Sequence, residues 1–532
     1  MHVNGSERVT ERARGIESFT SRWGMFLAML GMAVGTGNIW RFPRVAANNG
    51  GGSFLVAWIV FLLLWSVPLI LVEFAIGKHT RYGPVGAFAR VMGKKFAWLG
   101  AWVAWTAIAI MFYYAVVAGW TIRYTAAAIM GQVGQAEPGA LWNNFAYTPQ
   151  AVFFQAIAFG LGVLVVAKGV RAIESATKIL IPSLFVLVII LAIRAVTLPG
   201  AADGLNFLFT PHWEDLANPR IWLEALTQNA WDTGAGWGLI VCYAVYMRRR
   251  EDGTLNAFML GFGNNTVSLL AGIMVLCTVF SILPEIAASA AANPDTLAAF
   301  PALADAVRAG QEITPDVIRT SMVGAGNEGL TFIMVPQLFA RLPFGQFFMI
   351  VFFLALFFAA WTSLIAMIEL ATRVLMDGGM RRGRAIALVG TIGFVAGIPS
   401  ALSRDFFNNQ DFVWGVALMV SGLFFALAVL KYGVRRFRET LINTEHADIK
   451  VGVWWEWAIR FCVIEAIALI IWWYLEVRAE APWSPFGVLN MTVQFIVAGV
   501  ILFALNNWMV RRTNPDVTRN EPPEGETVPS IP

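Results

Sequence analysis

The residues best suited to chemistry are an aspartate and a cluster of glycines inside one apolar stretch. Residues 230–238 read AWDTGAGWG, so three glycines and a threonine follow Asp232 within six residues. A similar interruption, GMAVGTGN at 31–38, lies about 200 residues earlier in the chain. Glycines at mid-depth break a membrane helix and free backbone carbonyls and amides that lipid cannot satisfy. We therefore expect the two breaks to line a polar cavity.

A broken span exposes two kinds of helix end. Freed carbonyls at the end of one half-helix suit a small cation, whereas the amides that begin the next half-helix suit a carboxylate. A site with both kinds of end would bind a zwitterion beside Na⁺. Two glycine-broken segments at corresponding places in two halves of a chain indicate a transporter site on an inverted repeat. The alternative interpretation is a pair of simple glycine kinks.

The composition indicates a polytopic membrane protein. Of the 532 residues, 58% are hydrophobic and 14% are charged, whereas a soluble domain carries about 25% charged residues. The net charge of +4 needs no nucleic acid to explain it, because basic residues in short loops orient membrane proteins. The three cysteines lie in apolar stretches and are expected to be free thiols, and the four histidines form no metal cluster. The N-terminus does not have the pattern of a cleaved signal peptide.

About twelve apolar segments are long enough to span a bilayer, and each must be helical because lipid offers no partner for backbone groups. They lie near residues 22–46, 53–77, 97–130, 151–168, 177–198, 221–247, 257–283, 345–375, 385–402, 412–431, 454–476 and 486–510. We predict an all-α membrane protein with two five-helix halves, 22–198 and 221–431. Two further helices follow over 454–510.

The Lys and Arg content alternates from loop to loop. Basic loops such as 247–252 and 378–384 alternate with loops that carry few basic residues. The positive-inside rule then places the basic loops, the N-terminal segment 1–21 and the tail 511–532 in the cytoplasm. The tail is polar and proline-containing and is predicted to be disordered. Segment 284–344 is predicted to be a partly helical cap outside a bacterial inner, or plasma, membrane.

The stretch GMAVGTGNIWRFPRVAANNGGGSF (31–54) resembles the first-helix signature of the neurotransmitter:sodium symporter family, the LeuT-type transporters. The elements GNxWRFP and NGGG occur together at the spacing of that family. Further resemblance is found in VEFAIG (72–77), MFYYAVVAGW (111–120), AADGLNFLFTP (201–211), QNAWDTGAGWG (228–238), FFAAWTS (357–363) and NNQDF (408–412). The resemblance covers residues from about 20 to 510.

This resemblance implies a fold and a function. The fold is the LeuT-type 5+5 inverted repeat of about 12 transmembrane helices, with discontinuous helices 1 and 6. The function is secondary active transport, a Na⁺-coupled symport of a neutral amino acid by alternating access. Helices 1, 2, 6 and 7 are expected to move against the rest.

The resemblance also implies two sodium sites. In the second site, two carbonyls of helix 1 join one carbonyl and two hydroxyls of helix 8. Hard cations prefer oxygen ligands, and FFAAWTS places its hydroxyls within one turn of the alanine. Hydroxyls in a membrane helix also bond back to their own backbone, which is the structural alternative. The matching residues are Gly31, Val34, Ala359, Thr362 and Ser363.

In the first sodium site, the matching groups are the Ala33 carbonyl and the side chains of Asn38, Asp232 and Asn264. The family usually has Ser or Thr where this chain has Asp232. A carboxylate at mid-depth is costly unless it is paired or protonated. Bound Na⁺ or a proton would meet that need, and the structural alternative is an aspartate that only hydrogen-bonds its neighbours.

Chloride-dependent relatives bind an anion beside this sodium site. The matching positions here hold Gln228, Asn264 and Ser268, with Trp58 in place of a tyrosine and Asp232 in place of a serine. A carboxylate would repel a neighbouring chloride strongly in a low-dielectric site. We therefore expect chloride-independent transport, with Asp232 as the internal negative charge. Coupling to a proton or to K⁺ is the alternative.

The resemblance implies a substrate site between the same helices. The amides of Thr36 and Gly37 begin the outer half of helix 1 and would receive a carboxylate, together with the hydroxyl of Tyr114. The remaining wall is apolar, which favours a neutral amino acid. It comprises Ala33, Ile110, Trp231, Gly234, Trp237, Leu364 and Met367.

Three further residues match gating or supporting positions. Arg41 and Asp411 match the outer-gate pair of the family, and Glu73 matches a buried glutamate that hydrogen-bonds the unwound part of helix 6. Gln228 and Ser268 are expected to support the first sodium site. The candidates for an inner gate match less well and are Arg14, Phe19, Tyr246 and Asp377.

An enzyme is not expected from this sequence. A membrane hydrolase needs a Ser/His, Cys/His or paired-carboxylate arrangement at one depth, whereas Glu73 and Asp232 have backbone and cation roles here. A non-transporting sensor of the same fold is a third alternative, although the complete second sodium site favours transport. The expected partners are one or two Na⁺ ions, a small-molecule substrate and membrane lipid, without nucleic acid. A monomer and a homodimer are both compatible with the sequence.

Overall fold

A computed structural model describes residues 17–134, 137–248, 250–289, 297 and 299–514. All regular structure in these ranges is helical. Arg14, most of the N-terminal segment and all but the first four residues of the tail 511–532 lie outside the described residues.

Nine helices in the described ranges are long and apolar enough to cross a membrane, and a helix pair bent by 52° makes a tenth. Two more apolar helices are each divided by a break, so their separate pieces are too short to qualify. The twelve are α1a (Arg22–Ala33) with α1b (Gly37–Arg41 and Phe42–Asn48), α2 (Gly52–Thr80), α3 (Ala97–Ile129), α4 (Pro149–Ala167), α5 (Val170–Val196), α6a (Pro219–Asp232) with α6b (Leu239–Ala244), α7 (Gly253–Ala288), α8 (Gly345–Asp377), α9 (Arg382–Leu402), α10 (Arg404–Tyr432), α11 (Trp454–Val477) and α12 (Val488–Ala504 and Asn506–Thr513). The predicted all-α fold with broken first and sixth helices is confirmed.

Shorter helices connect these spans. Segment 284–344, predicted to be partly helical, contains Pro301–Arg308, Pro315–Gly324, Gly326–Gly329, the π-helical Leu330–Met334, and Val335–Ala340. The other short elements are Pro84–Met92, Lys94–Phe96, Ala140–Phe145, Ala201–Phe209, Trp213–Ala217, Val434–Phe437 and Arg438–Ile442.

The break in α1 lies at Val34 and Gly35. Ser21 caps the start of α1a by accepting a hydrogen bond from the Gly24 amide. The helix ends at Ala33, and the backbone of the next residue, Val34, is extended. A Cβ at Gly35 would lie 3.0 Å from the Tyr114 hydroxyl and 3.2 Å from the Ser363 hydroxyl. The unwound chain therefore passes closely between α3 and α8, and a side chain at position 35 would press on both hydroxyls.

The break in α6 spans residues 233–238. Its three glycines, Gly234, Gly236 and Gly238, all have positive φ, between 75° and 87°, a conformation that other residues rarely adopt. Glu73 on α2 accepts hydrogen bonds from the amides of Gly236 (2.7 Å) and Val241 (3.3 Å). The carboxylate of Glu73 thus satisfies backbone donors that the break would otherwise leave unpaired within the membrane.

The bundle places α3 and α7 inside and leaves α4, α5, α9 and α11 with large exposed apolar faces, as expected of helices that face lipid. Residues 17 and 514 lie at the same end of the bundle, which we call the terminal end. At this end the Tyr82 hydroxyl donates to the carbonyl of Asn514 at 3.1 Å. The other end, which carries segment 284–344, is called the opposite end.

The predicted helix bounds differ from the structure mainly at the starts of α5 and α10, and the end of α12 also differs. The sequence predicts α5 from about residue 177, but the helix begins at Val170. The sequence predicted α10 from about residue 412, but the helix begins at Arg404 because Ser403 caps it by accepting from the Phe406 amide. The mostly polar residues 404–411 give no hydropathy signal for a membrane helix. The last helix runs to Thr513, so the predicted tail begins three residues too early.

Candidate functional site

A cavity lies where the breaks of α1 and α6 meet α3, α8 and α10. Eight of the ten predicted substrate residues line it, and they are Ala33, Thr36, Gly37, Tyr114, Trp231, Gly234, Trp237 and Met367. The two exceptions, Ile110 and Leu364, are fully buried in the apolar core and do not line the cavity. The gate and ion-site residues that also line it are Asn38, Arg41, Asp232, Ser363 and Asp411.

Several residues that line the cavity were not predicted from the sequence. Tyr113 and Val117 lie on α3 at one position before and three positions after Tyr114, so helical spacing could have identified Val117. Phe407 lies one helical turn before Asp411 on α10. The remaining ones are Met32, Gly35, Trp40, Leu239 and Asn327. Asn327 comes from segment 284–344, where no pattern indicates a role in the site.

Donor groups converge at the start of α1b. The Thr36 amide and the Thr36 hydroxyl both donate toward the hydroxyl oxygen of Tyr114, at 3.1 and 3.3 Å. A Cβ at Gly37 would have only the Cβ of Asp232 within 4 Å, at 3.9 Å. Amides and a phenol hydroxyl at a helix N-terminus, beside open space, form an arrangement that can receive a carboxylate.

An oxygen-rich cluster joins the end of α1a to α8. The Ser363 hydroxyl oxygen lies 3.5 Å from the Gly31 carbonyl oxygen, 3.3 Å from that of Met32, 3.2 Å from that of Val34 and 3.2 Å from that of Ala359. Thr362 donates to the carbonyls of Phe358 (2.9 Å) and Ala359 (3.2 Å). A serine hydroxyl has one proton to donate, so these oxygens outnumber the donors among them. Neutral oxygens in excess are the ligands that a hard cation such as Na⁺ prefers.

A second polar cluster surrounds Asp232. Its Oδ2 atom accepts hydrogen bonds from Gln228 (3.0 Å) and from the Ser268 hydroxyl (3.2 Å). Asn38 donates to Ser268 (2.8 Å) and to the Asn264 side chain (2.9 Å), and the oxygen of Asn38 accepts from the Gly35 amide (2.8 Å). The structure thus brings together Asn38, Asp232 and Asn264, the predicted side-chain ligands of the first sodium site.

The other carboxylate oxygen of Asp232, Oδ1, is buried and has no hydrogen-bond partner within the described part of the chain. Asp232 itself lines the cavity and is 3% exposed. A buried carboxylate oxygen without a partner is costly. A cation beside Asp232 would satisfy it, so the residues present fit Na⁺.

Trp58 does not contribute a donor to this cluster. Its indole nitrogen is buried and makes no hydrogen bond to any described residue, and its ring packs on Phe42 with centroids 4.7 Å apart. The tryptophan therefore does not replace the hydroxyl of the tyrosine that chloride-dependent relatives have at this position.

The outer-gate residues, Arg41 and Asp411, both line the cavity but are not paired with each other. Arg41 instead donates to the Gln228 side chain and lies over the ring of Trp231, with 5.8 Å between the guanidinium carbon and the ring centroid. Within the residues that the structure describes, neither gate residue has an ion-pair partner within 4 Å. In this conformation Arg41 is bound to Gln228 and not to Asp411.

A half-buried acid, Glu328, lies beyond the gate at the opposite end. Glu328 accepts a hydrogen bond from the Tyr147 hydroxyl at 2.7 Å and lies 3.7 Å from Arg404. Burial raises the pKa of Glu328 above its ordinary value of 4.5, and this effect exceeds the opposing effects of Tyr147 and Arg404. The contact fixes segment 284–344 to the start of α4 and α10 near the cavity mouth.

The terminal end of the bundle is closed by aromatic packing. Phe19 is 2% exposed and meets Tyr243 and Tyr246 edge-on, at centroid distances of 6.0 and 6.3 Å. Glu174 on α5 accepts four hydrogen bonds of 2.7 to 3.2 Å from the amides and hydroxyls of Thr20 and Ser21. Two of the inner-gate candidates, Phe19 and Tyr246, are therefore in contact.

Asp377 has a partner that the sequence did not suggest. It pairs with Arg373, one turn earlier on α8, at 3.0 Å, and accepts from the Gly83 amide at 2.7 Å. Beside this pair, Glu369 binds Tyr246 and Arg382, each at 2.5 Å. Only Glu73 and Asp232 were predicted from the sequence to be intramembrane carboxylates. Glu369 was not predicted, although a lone glutamate in the apolar run of α8 was the available signal.

Comparison with known proteins agrees with this geometry. The model of the sodium:neurotransmitter symporter family matches residues 16–151 and 146–484. The uncharacterized sodium-dependent transporter YhdH of Bacillus subtilis (strain 168) is 30% identical over 474 residues, which are 85% of this chain and 96% of that protein. The sodium-dependent neutral amino acid transporter B(0)AT2 of Rattus norvegicus is 26% identical over 309 residues, or 52% of this chain and 42% of that protein.

A solved structure has the same fold. The crystal structure of MhsT in complex with L-phenylalanine superposes with a TM-score of 0.70 at 29% identity, covering 86% of this chain and 99% of that one. The family resemblance, the fold and the expectation of a transporter in place of an enzyme are confirmed. The chain belongs to the sodium:neurotransmitter symporter family, whose members are sodium-dependent multi-pass membrane transporters.

Proposed function

We propose that this protein couples the inward movement of Na⁺ to the uptake of a neutral amino acid. The observation that carries the proposal is the convergence of carboxylate-binding donors and two oxygen-rich clusters on one cavity between the two helix breaks. A zwitterion and cations are the ligands that such a cavity would hold together. The neutral amino acid transporter B(0)AT2 and the phenylalanine complex of MhsT, as relatives of this chain, support the choice of substrate.

The substrate would be held at its two ends by different groups. Its carboxylate would accept from the amides of Thr36 and Gly37 and from the Tyr114 hydroxyl. Its side chain would lie against Trp231 and Met367, in a wall where apolar groups predominate. A charged side chain would have to leave water for this wall, which is unfavourable without a partner, and so a neutral one is favoured.

Two sodium ions would bind, one at each cluster. The carbonyls of Gly31, Val34 and Ala359, with the hydroxyls of Thr362 and Ser363, would hold one ion. The Ala33 carbonyl, Asn38, Asp232 and Asn264 would hold the other. Because both sites use the unwound part of α1, ion binding would stabilise the shape of the break that the substrate requires.

We also propose that transport is independent of chloride. The Oδ2 atom of Asp232 accepts from Gln228 and Ser268, two of the groups that the resemblance assigns to chloride binding. A carboxylate oxygen thus occupies the place of the anion among the same donors. Chloride in the same place would meet a fixed negative charge at close range, in a site of low dielectric constant.

Alternating access would open the two ends of the bundle in turn. At the opposite end, Arg41 and Asp411 would come together after the substrate binds. At the terminal end, the contacts of Phe19 with Tyr246 and of Glu174 with residues 20 and 21 would then break. The basic loops of the terminal end favour its location in the cytoplasm, and we therefore propose that this end releases substrate into the cell.

Uptake by the purified protein in liposomes tests the proposal. A labelled mixture of neutral amino acids is supplied with an inward Na⁺ gradient, once in chloride and once in gluconate. Equal sodium-driven uptake in both salts is the expected result. A requirement for chloride would contradict the role of Asp232, and uptake driven only by a proton or K⁺ gradient would mean that Asp232 binds a different coupling ion. Binding without accumulation would instead support a sensor.

A further inference from the structure

The indole of Trp231 lies directly against a glycine of α10. Trp231 is half-buried, lines the cavity and is the penultimate residue of α6a. A Cβ at Gly415 would lie 2.1 Å from the Cζ2 atom of this indole, 2.9 Å from Cη2 and 3.0 Å from Cε2. Separations this short are not tolerated between carbon atoms. The indole can therefore occupy its present place only because residue 415 has no side chain.

The neighbours of Trp231 restrict where the ring could move. The guanidinium carbon of Arg41 is 5.8 Å from the ring centroid. The ring of Trp237 approaches edge-on with a centroid distance of 6.2 Å and an interplanar angle of 70°, and its indole nitrogen is fixed by the Ala230 carbonyl at 3.2 Å. Trp231 also lines the cavity, which provides open space on another side of the ring. A side chain at position 415 would thus push the indole toward the substrate.

We propose that Gly415 is a specificity-determining residue. Because it has no side chain, the Trp231 indole lies farther from the substrate, and this position sets the largest side chain that the cavity accepts. The inference rests on the proposed amino acid substrate. Gly415 lies one helical turn after Asp411 on α10, so the same helix carries a gate residue and the residue that sets the depth of the cavity.

The size of the effect follows from the geometry. Restoring an ordinary 3.4 Å contact to an added Cβ requires the indole to move by about 1.3 Å, the difference from the 2.1 Å separation. This distance is close to one carbon–carbon bond of about 1.5 Å. The substrate would lose the depth of about one methylene group, for which binding pockets discriminate by roughly 10- to 200-fold.

The same helix offers a matched control. A Cβ at Gly422 would lie 2.6 Å from Cζ2 of Trp65, so Gly422→Ala also presses a methyl group against an indole. Trp65 does not line the cavity. Gly422→Ala therefore reports the general cost of this kind of substitution in α10 beside an indole that is not part of the cavity wall.

The test compares L-phenylalanine with L-alanine as labelled substrates of the reconstituted protein under an inward Na⁺ gradient. In Gly415→Ala, the ratio of kcat/KM for phenylalanine to that for alanine should fall at least 10-fold. The ratio should stay unchanged in Gly422→Ala. Adding Trp231→Phe to Gly415→Ala should restore it, because phenylalanine lacks the indole atoms that meet residue 415. An equal loss for both substrates in Gly415→Ala, or the same change of ratio in Gly422→Ala, would overturn the inference.

A second measurement does not depend on the substrate. Cryo-electron microscopy of ligand-free Gly415→Ala should show the indole of Trp231 displaced by about 1.3 Å into the cavity, and displacement away from the cavity would overturn the inference. If the unmodified protein carries no neutral amino acid of the labelled mixture, the proposed function fails, and this displacement alone decides the role of Gly415. Should Gly415→Ala not fold, Trp231→Phe decides it, with an expected rise in the ratio of L-tryptophan to L-alanine transport and a refutation if that ratio is unchanged.

Discussion

Replacing Asp232 by serine should make sodium-driven transport dependent on chloride. The substitution removes a negative charge and leaves the Gln228 and Ser268 donors, which now bind Oδ2 at 3.0 and 3.2 Å, available to an anion. Two unit charges about 4 Å apart attract by about 4 kcal/mol at an effective dielectric constant of about 20. Loss of this attraction corresponds to roughly 1000-fold weaker sodium binding, since each 1.4 kcal/mol is about tenfold.

The assay is the sodium concentration for half-maximal uptake, measured in chloride and in gluconate. Asp232→Ser should require far more sodium in gluconate than in chloride, whereas the unmodified protein should behave alike in both. Asp232→Asn is the matched control, because its amide removes the charge but still fills the place of the anion, so it should be impaired in both salts. Adding Trp58→Tyr to Asp232→Ser should strengthen the chloride effect by supplying a hydroxyl donor. Near-normal sodium affinity of Asp232→Ser in gluconate would refute the reasoning.

Three further predictions concern single residues. Ser363→Ala should raise the sodium concentration for half-maximal uptake at least tenfold and lower the steepness of the sodium dependence, because one of the oxygens at the α1a–α8 cluster is lost; an unchanged sodium dependence would argue for a purely structural hydroxyl. Glu73→Gln should lower unfolding free energy by about 1–3 kcal/mol, measured by thermal or denaturant unfolding in detergent, because one of the amides of Gly236 and Val241 loses its acceptor; unaltered stability would show that the break does not need this cap. Burial raises the pKa of Glu328, so the folded protein holds this proton more tightly than the unfolded chain. The stability that this proton contributes is present below pH 4.5 and is lost as pH rises through the folded pKa. Glu328→Gln should therefore remove this decrease from the pH dependence of the melting temperature, and an identical pH dependence in the variant would contradict the assignment.

The spans and their breaks could be predicted from the sequence because they depend on local properties. Length and hydropathy determine which segments can be helical in lipid, and three glycines within 233–238 determine where one of those helices must unwind. The outcome for α10 shows the limit of this approach. Its first two turns are polar, so the onset at Arg404 depends on the cap of Ser403 and not on hydropathy.

The cavity could be predicted only in part. Residues next to the breaks, such as Thr36 and Trp231, could be assigned to the cavity because they are adjacent in sequence to the glycines that break the helices. Ile110 differs because its side chain direction depends on how α3 turns relative to α8, which single-helix patterns do not determine. The partners of charged residues were hardest to predict, as with Arg41 and Gln228, because each depends on contacts between helices that are distant in the chain.

The geometry of α1a allows it to act as a lever that pivots at the Val34–Gly35 break. Its far end is held by the hydrogen bonds of Thr20 and Ser21 to Glu174. Twelve residues at about 1.5 Å each give an arm about 18 Å long. A rigid turn of about 10° would carry the far tip roughly 3 Å, enough to part Thr20 and Ser21 from Glu174. The same turn would shift Gly31, about 4.5 Å from the pivot, by only roughly 0.8 Å. Cation–oxygen distances vary by only a few tenths of an ångström. The same rotation of α1a would therefore break the hydrogen bonds to Glu174 and weaken cation binding at the Gly31 carbonyl.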